Sequence, residues 1–432
     1  MDDNKVVKEH VVTAGQRNYI FILLFILLLC DQADRMVVSS LFPYIQSAWG
    51  ISDMECGLLV SVYFWALVIC IIPASILVDR WSRKKSIGIL SIIWSLASMA
   101  GAFTLNIRQL LTTRTIIGVS EAGYGPAGAA MLSWLYPLDK RARIFGIWNA
   151  SQPLGMAFGI ALGGVIAAHL GWRHAFGLVA IPGLIAAILF FFAKDYKSVP
   201  LEKTAGGDGV KAASKLKMRP SDVAKEFLKT PTLIFTYFGF AGLVFVIIAV
   251  STWLPTYFHR VGGIPEDQAS LKASLVLALS MVGFLAGGFL SDLWVKKKLN
   301  SRLVYAAITT AASALLVFIA FSISGNEQYA VFLVTGVAIT LCFPALQAVT
   351  QEVIHPGLRG MSYGLSILIM NLFGGSLGPV VIGAISDASN LQTAMLVLPI
   401  FLLVAAGLFF IGSFFYMRDF NKVEKVTLEV AS

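Results

Sequence analysis

The chain has 432 residues, 57% of them hydrophobic and only 13% charged, with a mean hydropathy of +0.78. Soluble domains carry about 25% charged residues, so this chain lacks the charge needed to wet a globular surface. Apolar runs such as 21–30, 179–193 and 394–411 recur from end to end, which excludes a soluble enzyme and a disordered scaffold and describes a polytopic membrane protein.

A hydrocarbon core takes about 20 apolar residues to cross, and these runs are continuous rather than alternating, which is the helical pattern and not the barrel one. Apolar windows predict helices over 18–44, 57–78, 86–104, 109–135, 144–169 and 174–193. Six more are predicted over 231–258, 270–293, 301–323, 328–351, 360–385 and 392–417. The fold class is therefore all-α, with twelve transmembrane helices in two pseudo-symmetric six-helix bundles. The division is a cytoplasmic N-terminus at 1–17, one bundle at 18–193, a cytoplasmic linker at 194–229, a second bundle at 230–417 and a cytoplasmic tail at 418–432. The linker is lysine-rich, contains Gly206-Gly207-Asp208-Gly209 and carries a short amphipathic pattern over 221–228.

The net charge of +9 is informative through its location. With the N-terminus in the cytoplasm, 27 of the 33 basic residues fall in cytoplasmic segments and four in outer loops, so both termini are placed inside. Compact loops suggest a bacterial inner membrane. The cysteines Cys30, Cys56, Cys70 and Cys342 show neither metal-ligand nor disulfide spacing.

The halves repeat. Ser75-Ile-Leu-Val-Asp79-Arg80-Trp-Ser-Arg83-Lys84-Lys85 after helix 2 is echoed by Gly288-Phe-Leu-Ser-Asp292-Leu-Trp-Val-Lys296-Lys297-Lys298 after helix 8. Pro137–Arg143 corresponds to Pro356–Arg359, and Gly159 and Gly164 in helix 5 correspond to Gly378 and Gly383 in helix 11. A duplicated six-helix unit is the architecture of many secondary transporters.

The doubled loop motif, with Arg114-x-x-x-Gly118 in helix 4, resembles the signatures of the major facilitator superfamily. Ser75 and Ser82 stand where glycines are usual, and Leu293 replaces the basic residue of the second copy. Asp34-Arg35 and the segment Gly118-Val-Ser-Glu121-Ala-Gly-Tyr-Gly-Pro126 resemble the spinster-like branch. The organic anion symporters that carry sugar acids share much of this pattern, and Trp253-Leu-Pro-Thr-Tyr257 leans toward them. The resemblance implies alternating access driven by protons, with a lysolipid-like amphiphile or related organic anion as substrate. A sugar acid or other small carboxylate is the second reading.

Charges inside the membrane are costly unless paired or wetted, so they mark function. The first half holds five: Asp31, Asp34, Arg35, Arg114 and Glu121. At 1.5 Å per residue, Asp34 lies roughly 24 Å and Glu121 roughly 21 Å from the inner ends of their helices, with Arg114 nearer the outer surface. A carboxylate withdrawn from water holds its proton more readily, and a nearby arginine opposes this. If an anionic substrate takes Arg35, Asp34 is freed to bind a proton, which couples the two. The resemblance associates the matching aspartate and helix-4 glutamate with proton coupling, so Asp34, Glu121 and Asp31 are the proton candidates. A static ion-pair network between helices 1 and 4 is the competing reading. Arg114 either holds an anionic group or partners Glu121.

Arg35 and Arg114 are the substrate-binding candidates, with Tyr63, Asn149, Gln152, Trp253, Gln347 and Asn371 on cavity-prone helices. Asp79, Arg80, Arg83 and Asp292, at the cytoplasmic helix ends, are gating candidates, an aspartate paired across the bundle holding one gate closed. No phosphate-binding loop, nucleotide domain or metal-ligand spacing occurs, so no cofactor or metal is expected. The expected partners are the substrate, protons and the bilayer, without nucleic acid, and the chain is read as a monomer. An intramembrane enzyme would need a nucleophile or metal set, and a receptor a signalling domain; neither is found in the sequence.

Overall fold

The computed structural model describes residues 13–80, 82–136, 138–193, 226–296, 301–355 and 358–423. Among them, helix follows helix in twelve membrane-length segments, numbered here α1–α12. In the first half, α1 is Ala14–Met36, prolonged by a 3-10 turn Val37–Leu41 and by Phe42–Trp49. It is followed by α2 (Asp53–Arg80), α3 (Arg83–Ala100), α4 (Ile107–Glu121, then Tyr124–Leu135), α5 (Leu138–Leu170) and α6 (Trp172–Phe190).

In the second half, α7 is Pro231–Arg260, α8 Glu266–Val295, α9 Ser301–Ser322 and α10 Asn326–Ala338 with Phe343–Glu352. The remaining two are α11 (Arg359–Ile369, a π-helical turn Met370–Gly375, then Leu377–Ala388) and α12 (Leu391–Met395 with Leu398–Lys422). Ten of the twelve are long and apolar enough to cross a membrane; α1 and α4, which carry the charged residues, complete the set.

Several helices begin before their apolar windows, where polar side chains cap their first turns. Ser52 and Glu55 form a reciprocal capping box at the start of α2, and Asn106 and Asn390 cap α4 and α12 through their side chains. Of the amphipathic pattern at 221–228, residues 226–228 are helical and the rest lie outside the described residues, as does most of the linker.

The glycine repeat shows how the halves pack. A side chain at Gly159 would strike Ala33 of α1, and one at Gly378 would strike Phe245 of α7, so each glycine seats its helix on the first helix of its own half. One turn or so further on, Gly164 abuts Ser270 of α8 and Gly383 abuts Asp53 of α2, each across the divide. The two largest interfaces between halves, α5 with α8 and α11 with α2, are thus the same interface used twice. These contacts begin in the middle, where Gly375 meets Phe64, and extend to the face opposite the termini. Nearer the termini, Tyr124–Leu135 and Phe343–Glu352 make their extensive contacts with helices of their own halves.

Candidate functional site

Two separate charged clusters converge on α1. Asp31 and Arg35 are one turn apart on one face, with Arg35 Nη2 at 3.4 Å from Asp31 Oδ2 and 3.2 Å from Glu121 Oε2 of α4. The Tyr63 hydroxyl of α2 donates to the same Glu121 oxygen, and Gln32 Nε2 donates to Asp31 Oδ2 at 3.1 Å. Local sequence makes this approach possible: Gly118, one turn before Glu121, abuts the Tyr63 carbonyl, and Gly155 of α5 abuts the Leu29 carbonyl. The guanidinium of Arg35 lies 4.5 Å from the Tyr63 ring centroid and 5.6 Å from that of Phe64. Asp31, Tyr63 and Glu121 are buried, while 16% of the Arg35 side chain stays exposed. One cation thus faces two carboxylates, and Glu121 Oε1 has no partner.

The second cluster is closed off inside the first bundle. Asp34 is fully buried and accepts from Ser98 Oγ of α3 at 3.0 Å. Arg114 donates from Nη1 to the backbone oxygen of Asp34 at 2.8 Å, with its guanidinium 5.3 Å from the Phe176 ring. The expected competition of Asp34 for Arg35 is therefore replaced. Adjacent helical residues point about 100° apart, so Arg35 faces α2 and α4 while Asp34 faces α3. The acids that contend for Arg35 are Asp31 and Glu121. Nor does Arg114 pair with Glu121: it sits two turns earlier on α4 and spans instead to α1.

The remaining candidates scatter. Gln152 Nε2 and Asn149 Oδ1 bond to each other at 2.9 Å on α5. Gln347 is partly exposed on α10. Asn371 turns back onto its own helix, donating to the Ile367 carbonyl at 2.9 Å within the π-helical stretch of α11. Trp253, expected in a pocket, is fully buried with its N–H on the Pro379 carbonyl at 3.0 Å and its ring 5.1 Å from that of Phe42. It seals α7 against α1 and α11, and its single polar atom is already used. Asp292 pairs with Arg302 at 3.2 Å, inside its own half and not across the bundle. The side chains of Asp79, Arg80 and Arg83 lie outside the described residues.

Sequence reasoning missed a clasp on the face opposite the termini. Arg260, the last residue of α7, reaches Asp53 Oδ2 at 2.7 Å and Oδ1 at 2.9 Å, and Gln46 Oε1 at 2.9 Å. Ser386 also donates to Asp53, and Asp387 beside it accepts from the backbone amides of Asp53 and Met54, both at 2.8 Å. Arg260 had the bland look of an outer-loop charge. The pattern Ser52-x-x-Glu55 is the one local signal here, and it points to a helix start and not to a partner across the divide.

This layout of two six-helix units matches known proteins closely. The family model of the Major Facilitator Superfamily matches residues 24–379. The chain belongs to that superfamily. Among similar proteins, a hexuronate transporter of Bacillus subtilis (strain 168) is 28% identical, over 86% of this chain and 88% of its own length. Protein spinster homolog 1 of Xenopus laevis is 25% identical over 94% and 82%, and a D-galactonate transporter of Escherichia coli O6:H1 is 24% identical over 91% and 94%. The fold matches the crystal structure of a bacterial homolog to the human lysosomal transporter Spinster, inward-facing and unoccupied, with a TM-score of 0.80 at 20% identity, covering 94% of this chain and 99% of that one. The protein is a membrane transporter of the major facilitator type, similar to both spinster proteins and sugar-acid carriers.

Proposed function

We propose that this transporter moves a small organic anion of the sugar-acid class together with protons, by alternating access. The observation that carries the reading is the sharing of Arg35 by Asp31 and Glu121 at 3.4 and 3.2 Å. With both acids ionised, the guanidinium is held and an incoming carboxylate meets net negative charge. Protonating Glu121 releases Arg35 for the substrate, so proton and anion bind together. Glu121 and Asp31 carry the exchange at the cavity, and Asp34 supplies a second, buried protonation site.

The exposed amide pair Asn149–Gln152 supports a hydroxylated substrate, because amides are not set against lipid without cost. The positive-inside bias supports the termini face as cytoplasmic. The Asp53–Arg260 clasp on the opposite face supports reading this conformation as inward-facing. The apolar wall of Tyr63 and Phe64 against Arg35 favours, as second reading, a lysolipid-like amphiphile whose anionic group meets the same arginine.

Uptake of labelled D-glucuronate into proteoliposomes under an imposed proton gradient tests the proposal. Acceleration by the gradient is the expected result. Uptake indifferent to the gradient removes the coupling, and uptake of lysophospholipid alone moves the substrate to the second reading.

A further inference from the structure

Behind Asp34 lies a set of polar atoms that the Arg35 cluster does not use. Asp34 Oδ2 has no hydrogen-bond partner although the residue is fully buried. On α3, Ser98, Ser95 and Ser91 fall on one helix face at i, i−3 and i−7, and all three are buried. Ser98 donates to Asp34, while the hydroxyls of Ser95 and Ser91 and the indole N–H of Trp94 are without partners. Gly183 of α6 stands over this row: a Cβ there would come within 3.2 Å of Cys30 Cβ, 3.3 Å of Ser95 Oγ and 3.8 Å of Trp94 Nε1. Cys30 is one turn before Asp34 on α1, so the carboxylate, the Ser98 and Ser95 hydroxyls and the indole gather along the seam, or slot, where α1, α3 and α6 pack. From Ser98 to Ser91 the row runs about 10 Å toward the termini face. Ser86, whose hydroxyl is also unpartnered, lies about 8 Å further along the same helix.

Buried polar groups are almost always satisfied by protein or by water, and an unpartnered run within a few turns is where mobile water inserts. Lipid offers no hydrogen bonds that would excuse serines in a row. The Arg35 cluster cannot serve Asp34, since Arg35 and Asp34 point to different faces of α1. We propose that Asp34 exchanges its proton through this slot, along Ser98, Ser95, Trp94 and Ser91, and not past the Arg35 cluster. The inference rests on the reading of the protein as proton-coupled.

Infrared difference spectroscopy on the purified full chain in liposomes tests it without any substrate. The carbonyl band of protonated Asp34 is the one that Asp34→Asn removes, and its hydrogen–deuterium exchange is timed after a switch to heavy water. Ser95→Ala, which removes a hydroxyl, and Gly183→Ala, which narrows the slot and keeps every hydroxyl, are each expected to slow exchange by about tenfold. Tyr63→Phe, on the cavity side, is expected to leave it within about twofold. Ser98→Ala shifts the band itself by removing the donor to Oδ1. Slowing of less than about threefold in both slot variants overturns the route while leaving proton coupling intact. A spectrum with no Asp34 band between about pH 4 and 9 overturns the protonation of Asp34, and the route with it.

Discussion

Asp387 of α11 accepts hydrogen bonds from the backbone amides of Asp53 and Met54 at 2.8 Å each, so one half of the transporter caps the first turn of a helix in the other half. The first amides of a helix have no partner within it and carry its positive dipole end, which makes a carboxylate there stabilising. Asp53 returns the contact through Arg260 and Ser386. If transport proceeds by alternating access, as proposed, opening this face breaks these bonds together.

Removing it therefore favours the opposite state. Hydrogen bonds to charged groups contribute about 1.5–3 kcal/mol, so Arg260→Ala or Asp387→Asn shifts the ratio of states by about tenfold or more. Spin labels at Phe103 and Glu327, exposed on this face in opposite halves, report it. The longer distance population grows in the variants; an unchanged distribution removes the clasp from the gate.

The duplicated glycine contacts give a symmetric prediction. Gly164→Val and Gly383→Val both force side chains into the partner half, against Ser270 and Asp53, and both open the same face in the same spin-label measurement. Gly125→Ala and Gly407→Ala, where nothing lies within 4 Å, leave the distribution as it is.

Arg35→Ala leaves Asp31 and Glu121 without their shared cation and removes the group that meets the anion. Binding of D-glucuronate, read by isothermal calorimetry, falls by about a hundredfold, equivalent to ~2.7 kcal/mol, while an uncharged methyl ester loses little. Equal losses for both ligands make Arg35 a purely structural residue.

Glu121→Gln fixes the glutamate in a neutral form that leaves Arg35 free. In the wild type, anion affinity rises as pH falls, because protonation releases the arginine; in the variant it stays at the acid-side value across the range. Exchange of labelled for unlabelled anion continues, and gradient-driven accumulation is lost. A variant that still follows pH places the coupling proton elsewhere.

Much of this was legible in the chain. Continuous apolar runs delimit the helices, the glycine pairs 159/164 and 378/383 announce the duplication, and scarcity makes Asp31, Asp34, Arg35, Arg114 and Glu121 stand out. Each follows from a local rule: the thickness of the hydrocarbon core, the close approach that only glycine allows, and the cost of a charge in lipid.

Which charges meet was not legible. The chain puts Asp34 beside Arg35, yet the 100° step between neighbours buries one against α3 and leaves the other partly exposed between α2 and α4, with partners 64 to 86 residues away. Trp253 reads as a pocket residue until Pro379 and Phe42 close over it. The clasp of Asp53, Arg260 and Asp387 joins helix ends 207 and 334 residues from Asp53, and each alone looks like an ordinary surface charge. Helix formation and burial depend on near neighbours and solvent, so sequence determines them; side-chain pairing depends on how helices rotate against one another, and only the packed bundle decides that.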